Sequence, residues 1–393
     1  MINGNLSSVL MLRFLTAGES HGPGLVTIIE GLPAGLSVSP EGIGHELARR
    51  RLGFGRGRRM QIEQDELEIM GGVRFGITIG GPVAVVIRNT EWPKWEDEMS
   101  PLPGEARRRM TTPRPGHADL SGMLKYDTRD ARDILERSSA RETAARTVAG
   151  YLAKQLLAEI GSTVLSHVVA IGAARAPDGV IPGPEDLARI DESPVRVLDS
   201  AAAAAMVDEI ERAHADRNTL GGVVEVVAHG VPAGLGSHVH WDRRIDGLLA
   251  FALMSIQAIK AVEVGDGLDT AYRPGSVAHD EIAYVDGEFT RTTGRAGGIE
   301  GGMTTGDVVR VRAAMKPLST LMRPLQTVDV DTKEADVAFR ERTDTCAVPA
   351  AGVVAEQMVA LVLADEAMRS FGGDTVGDFR TNAAAYRERL AGF

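Results

Sequence analysis

A single cysteine, Cys346, in 393 residues excludes an internal disulfide framework and a cysteine-built zinc knuckle, and leaves a free thiol in or just beneath the surface of the core. Long apolar runs are missing too. No stretch of eighteen apolar residues occurs, so nothing reads as a membrane-spanning helix, and residues 1–10 have neither the charged nor the apolar region of a secretory signal. The expected compartment is the cytoplasm. Positive charge is short overall: the formal net charge is -11, which argues against general affinity for nucleic acid, because binders of a phosphate backbone need a positive face. The chain does have length and 44% hydrophobic residues, enough to bury a substantial core in one large or two ordinary domains.

The basic residues are clustered. Arg49, Arg50, Arg51, Arg56, Arg58 and Arg59 form one island, and Arg107, Arg108, Arg109 and Arg114 form another. Basic islands on an acidic chain point to a small anionic ligand, since guanidinium forks hold carboxylate and phosphate bidentately. RNA binding is the competing reading, and it demands an affinity that falls steeply with salt.

Local patterning sketches an α/β chain. A short strand from Met11 to Ala17 runs into the turn Gly18-Glu-Ser20-His21-Gly22-Pro23, and a second strand, Leu25 to Glu30, closes on the turn Gly31-Leu-Pro-Ala-Gly-Leu36. A helix is expected over 41–51, an apolar strand region over 76–89, and a surface loop or lid over 90–113. Ser139-Ala-Arg-Glu142 reads as a capping box before apolar positions Ala144, Val148, Leu152, Leu156 and Ile160, which predicts a helix ended by Gly161. Its N-terminal amides and positive dipole end then face whatever His117 faces. Further helices are expected over 201–215, 246–263 and 352–368. Two features recur in the same order: the strand and turn of 25–36 in Val223 to Leu235, and Gly76-Ile-Thr78-Ile-Gly80 with its strand in Gly302-Met-Thr304-Thr-Gly306. They suggest two similar halves about a pseudo-twofold axis, although short Gly-Pro turns also recur by chance.

Chemistry concentrates in a few segments. Gly18-x-Ser20-x-Gly22 matches a serine-hydrolase elbow literally, yet it follows the first strand and leads through Pro23 into another strand instead of a helix. His238 and His240 share a strand face with only Asp242 as a possible further metal ligand, so a solvated strand end is preferred. His21 and His117 differ from the other histidines because each sits in a glycine-bounded turn near arginines and hydroxyls.

Taken together, Gly18-Glu-Ser-His-Gly22, Arg114-Pro-Gly-His-Ala-Asp119, Arg137-Ser-Ser-Ala-Arg-Glu-Thr143, Ala296-Gly-Gly298 and Lys316-Pro-Leu-Ser-Thr320 closely resemble the chorismate synthase family, over nearly everything from Met11 to the last helix. Asn89-Thr-Glu-Trp-Pro-Lys-Trp95 is similar to the actinobacterial branch. Residues 1–10 lie outside the resemblance and are expected to be an extension. Residues 11–393 are expected to form a single domain with an internal pseudo-repeat. The resemblance implies a fold of the α+β type, a β-α-β sandwich of two pseudo-symmetric halves, assembled as a homotetramer.

It also implies a lyase. Phosphate leaves C3 and a proton leaves C6 of 5-enolpyruvylshikimate 3-phosphate in a 1,4-anti elimination that yields chorismate, in the shikimate route to aromatic amino acids. Reduced FMN is required without net redox change, its reductant, such as NADPH, acting through a separate flavin reductase. No metal is implied. Carried over by motif, His21 is the acid beside the departing phosphate, His117 protonates or stabilises the reduced flavin, and Asp344 pairs with Ser20 to relay a proton. Arg50, Arg56, Arg114, Arg141 and Arg342 match positions that hold substrate or cofactor anions. Arg137, Ser138, Ser139, Gln257, Ala258, Gly301, Lys316, Pro317, Leu318, Ser319, Thr320 and Arg342 match flavin-binding positions. Arg49, Arg51, Arg58 and Arg59 are left as solvated or supporting charges.

Overall fold

The structure, a computed structural model, describes residues 11–56, 66–107, 109–285, 287–339 and 344–393. Period-two burial builds its first sheet. Leu25, Thr27 and Ile29 of strand Gly24–Glu30 and Val83, Val85 and Ile87 of strand Val83–Arg88 point into the core. These strands pair antiparallel at the centre of a four-stranded sheet edged by Arg13–Ala17 and Glu66–Gly71. The expected strand region over 76–89 is thus two pieces, Ile77–Thr78 and Val83–Arg88, separated by a glycine turn.

A second antiparallel sheet of five strands runs in the order Ile259–Val264, Val309–Met315, Gly222–His229, Thr163–Ile171 and Ala174–Arg175. Helices lie between the sheets. Thr143–Ala158 packs on the first sheet, Val348–Phe371 packs on Thr143–Ala158 and on the second sheet, and Pro40–Arg51 and Ile245–Met254 flank them. This is the α+β sandwich, with apolar helices covered on both sides by sheet. Val348–Phe371 is long and apolar enough to cross a membrane by length and composition, but 94% of its most apolar window is buried in the fold, which makes it the core helix. A further helix, Val376–Ala391, follows it.

A local device occurs twice, each time in a separate two-stranded ribbon. Thr78 Oγ donates to the Pro33 carbonyl (2.6 Å) and accepts from Leu36 N–H (2.9 Å), while Thr304 Oγ donates to Pro232 (2.6 Å) and accepts from Leu235 N–H (2.9 Å). Gly35 and Gly234 take matching left-handed conformations in these turns, at φ of 95° and 91°.

One expectation fails. The helix predicted over 246–263 stops at Met254, and Ile259–Val264 is an edge strand instead, its alternating side chains paired with Val309–Met315. The switch falls at Gln257 and at Ala258, a non-glycine residue at φ 68°.

A buried ionic network locks helix Pro40–Arg51 to the core helix. Arg49, 2% exposed, donates to Glu356 (2.6 and 3.0 Å), Glu46 (2.7 Å) and Asp191 (2.6 Å). Lys154 also donates to Glu356 and Glu46, and fully buried Arg196 binds Asp191 and Ser166. Arg49 is therefore a supporting charge and is not solvated, while Arg58 and Arg59 lie outside the described residues.

Candidate active site

A cavity of about 2300 Å³ forms where the turn after the first strand, the end of helix Pro40–Arg51, the 109–118 and 132–141 segments and the edge of the second sheet converge. Pockets for one small ligand span about 300–1,000 Å³, so this space admits a substrate and a cofactor together. Ser20, His21, Arg50, Arg56, Arg114, His117, Ser138, Ser139, Arg141, Gln257, Ala258, Lys316, Leu318, Ser319, Thr320 and Asp344 all line it.

Each histidine is held by a buried carboxylate. His117 Nδ1 lies 2.5 Å from Asp119 Oδ1, and Asp119 also accepts from Arg114 Nε (2.8 Å) and from the Arg114 backbone N–H (3.0 Å). Burial alone would raise Asp119, but the hydrogen bonds and charges of His117 and Arg114 outweigh it and hold the carboxyl down at about 2. Arg114 further donates to Thr320 Oγ (2.9 Å) and stacks over Phe339, so it braces the His117 turn as well as facing the cavity. On the other side, Glu136 accepts from the His21 backbone N–H (2.8 Å) and lies 2.9 Å from His21 Nδ1. Burial opposes ionisation of Glu136 too, and again hydrogen bonds and charge, from His21 and Arg132, hold its carboxyl below the usual range.

The second-sheet wall is tied to the His117 turn. Lys316 Nζ and Ser319 Oγ both donate to the Gly116 carbonyl, at 2.7 and 2.8 Å. Burial and the like charge of Lys260 push Lys316 down. Gln257 donates its amide nitrogen to Glu142 (3.2 Å); a carboxylate only accepts, so the amide orientation is determined, and Gln257 Oε1 is left buried without a hydrogen-bond partner among the described residues. An orphaned acceptor on the wall of a cavity is where a ligand N–H is wanted.

Several placements differ from what the sequence suggested. Ser139 caps a single 3-10 turn by accepting from Arg141 N–H, and helix Thr143–Ala158 starts only after it. Glu142 does not close the capping box, because it is drawn instead to Thr16, Arg146 and Gln257. Ser20 Oγ accepts from Ser139 (3.3 Å) and makes no hydrogen bond to Asp344, which is paired with Arg56 at 3.3 Å. Arg137 is turned to the carbonyls of Gly18 and Thr16, and Arg137, Pro317 and Gly301 do not line the cavity. Arg342 lies outside the described residues.

Sequence reasoning gave no role at the site to Glu136, Trp95, Arg132 or Glu142. Trp95, within the expected surface loop or lid, lines the cavity and packs its ring 4.0 Å from that of His21. The Arg132–Glu136 pair was open to detection as an i,i+4 ion pair on one helix face.

A family model described as chorismate synthase matches residues 12–368. A relative named chorismate synthase from Nocardioides sp. strain JS614 is 59% identical over 389 residues, covering 97% of this chain and 99% of the relative. One of the same name from Streptomyces coelicolor is 58% identical over 388 residues, covering 96% and 98%. A crystal structure of a chorismate synthase matches with a TM-score of 0.79 at 40% identity, over 97% of this chain and 99% of that one.

Proposed function

The chain belongs to the chorismate synthase family, and on that premise we propose that the cavity between His21 and His117 is where it removes phosphate from 5-enolpyruvylshikimate 3-phosphate to give chorismate. One observation carries the placement. Two histidines, each on a buried carboxylate, share a single cavity with Arg50, Arg56, Arg114 and Arg141 in a protein of formal charge -11. Burying a phosphate and two carboxylates beside a phosphorylated cofactor is costly unless guanidinium forks and backbone amides replace the lost water.

In this reading His21 donates a proton to the departing phosphate, a role that needs a positioned imidazole at the cavity wall. His117, fixed by Asp119 and Arg114, holds a proton at the cofactor side. Ser20 and Asp344 face the same space, and their relay requires the Arg56–Asp344 ion pair to rearrange when the site fills. The arginines hold the anions. When bound, reduced FMN would lend electron density to the elimination without net redox change. Ser138, Ser139, Gln257, Ala258 and the Lys316 to Thr320 segment would hold it, and the orphaned Gln257 acceptor supports that fit. A separate flavin reductase using NADPH, a cytoplasmic location and a homotetramer belong to the same reading. So does a single 11–393 unit with an internal pseudo-repeat, which the matching threonine bonds at Thr78 and Thr304 support; residues 1–10 lie outside the described residues.

The cofactor wall is tested by Gln257→Leu. Losing a buried acceptor that meets a ligand donor costs about 1–2 kcal/mol, so affinity for reduced FMN in an anaerobic fluorescence titration drops by about tenfold. An affinity equal to that of the parent chain would remove Gln257 from the flavin site.

A further inference from the structure

We propose that Glu136 is the positioning residue for His21: it sets the imidazole's tautomer and aim, and does so without touching the substrate. The inference rests on the reading of His21 as the acid beside the departing phosphate.

Three contacts converge on this one side chain, which is 3% exposed. Its carboxylate accepts the His21 backbone N–H at 2.8 Å and lies 2.9 and 3.1 Å from Nδ1 of the ring, while Arg132 donates to it at 2.9 Å. Its own backbone carbonyl accepts from Ser20 N–H at 3.0 Å. Main chain and ring of the Ser20–His21 turn are thus pinned to a single residue of the short helix Arg132–Ser138.

The chemistry follows from donor counting. An ionised carboxylate only accepts, so the hydrogen sits on Nδ1, and proton exchange with a ligand in the cavity runs through Nε2. The same carboxylate holds the ring's orientation for proton exchange, as the buried aspartate of a hydrolytic triad does for its histidine. Glu136 keeps its charge despite burial, because hydrogen bonds from His21 and the charge of Arg132 oppose desolvation.

Rotation of the ring is limited from a second direction. Trp95 stacks on His21 at 4.0 Å between centroids and 35° between planes, and the Arg132 guanidinium lies 5.0 Å from the Trp95 ring centroid. Arg132 therefore ties the carboxylate and the aromatic plate to each other, and the imidazole sits between them. Asn89, donating to the Gly22 carbonyl at 2.9 Å, closes the far side of the turn.

The test is a double-mutant cycle of Glu136→Gln and His21→Ala, assayed anaerobically with reduced FMN. Glu136→Gln keeps the size of the side chain and removes its charge. We expect kcat to fall by about tenfold or more with KM for the phosphorylated substrate within about twofold, and the double variant to be no slower than His21→Ala alone. A Glu136→Gln rate equal to the parent's, with His21→Ala slow, overturns the positioning role. So do losses that multiply in the double variant. A parent-like rate in His21→Ala is a separate outcome: it overturns the reading of His21 itself. Independently of turnover and of how the variants fold, ¹⁵N NMR of the flavin-free parent, at a pH where the ring is neutral, reports the tautomer. The proposal requires hydrogen on Nδ1 of His21, and a ring protonated on Nε2 overturns it.

Discussion

His21→Ala lowers turnover by about two orders of magnitude, the usual contribution of a positioned general acid, while the chain stays folded. Phosphate leaving the allylic C3 carries developing negative charge on oxygen, and in the proposed reading the imidazole fixed at the cavity wall neutralises it. His21 is in place for this before substrate arrives: its backbone and Nδ1 are both anchored on Glu136 and its ring lies against Trp95. Alanine removes the ring but leaves the Glu136 bond to the backbone N–H, so the turn itself survives. With the arginines holding the substrate as proposed, binding should suffer less than kcat. Steady-state kinetics with saturating reduced FMN measure this, and a rate within about twofold of the parent would remove His21 from the proton transfer.

Glu356→Ala is expected to destabilise the fold by about 3–5 kcal/mol, because removing one member of a buried ion network leaves the opposite charges uncompensated. Glu356 is fully buried on the core helix and accepts from Arg49, Lys154 and Ser166, with Arg196 at 3.9 Å. Burial opposes its charge, yet the neighbouring cations hold its carboxyl well below the usual range, and burial with Arg49's like charge pushes Arg196 down. Without Glu356 the carboxylates left to the three cations among the described residues are Glu46 and Asp191. The network borders the cavity, since Arg49 is adjacent to Arg50, which reaches Thr143 and the Ala140 carbonyl at the cavity wall. Urea denaturation should show the loss, with Glu356→Gln intermediate. An unchanged midpoint in Glu356→Ala would mean that the network contributes nothing to stability.

Short-range features were legible from the residues, and their long-range partners were not. The strands at Arg13–Ala17 and Gly24–Glu30, the helix Pro40–Arg51 and the glycine turns around His21 and His117 follow from alternation and turn chemistry, which act over a few positions. Glu136 escaped notice because its partner His21 is 115 positions away, and Arg49 was left among solvated or supporting charges because Glu356 is 307 positions away. Apolar residues continuing past Met254 looked like more helix; only pairing with Val309–Met315 turns Ile259–Val264 into a strand and places Gln257 on the cavity wall. The roles of the two histidines came from the family resemblance alone, since spacing shows that each sits in a tight turn and says nothing about what it faces.

Elimination by this chain is tested by incubating it folded and anaerobic with 5-enolpyruvylshikimate 3-phosphate and reduced FMN, while following chorismate and inorganic phosphate together. Both products are expected in equal amounts, and neither when only oxidised FMN is supplied. Phosphate release without chorismate, or no release from folded protein with reduced FMN present, would contradict that elimination.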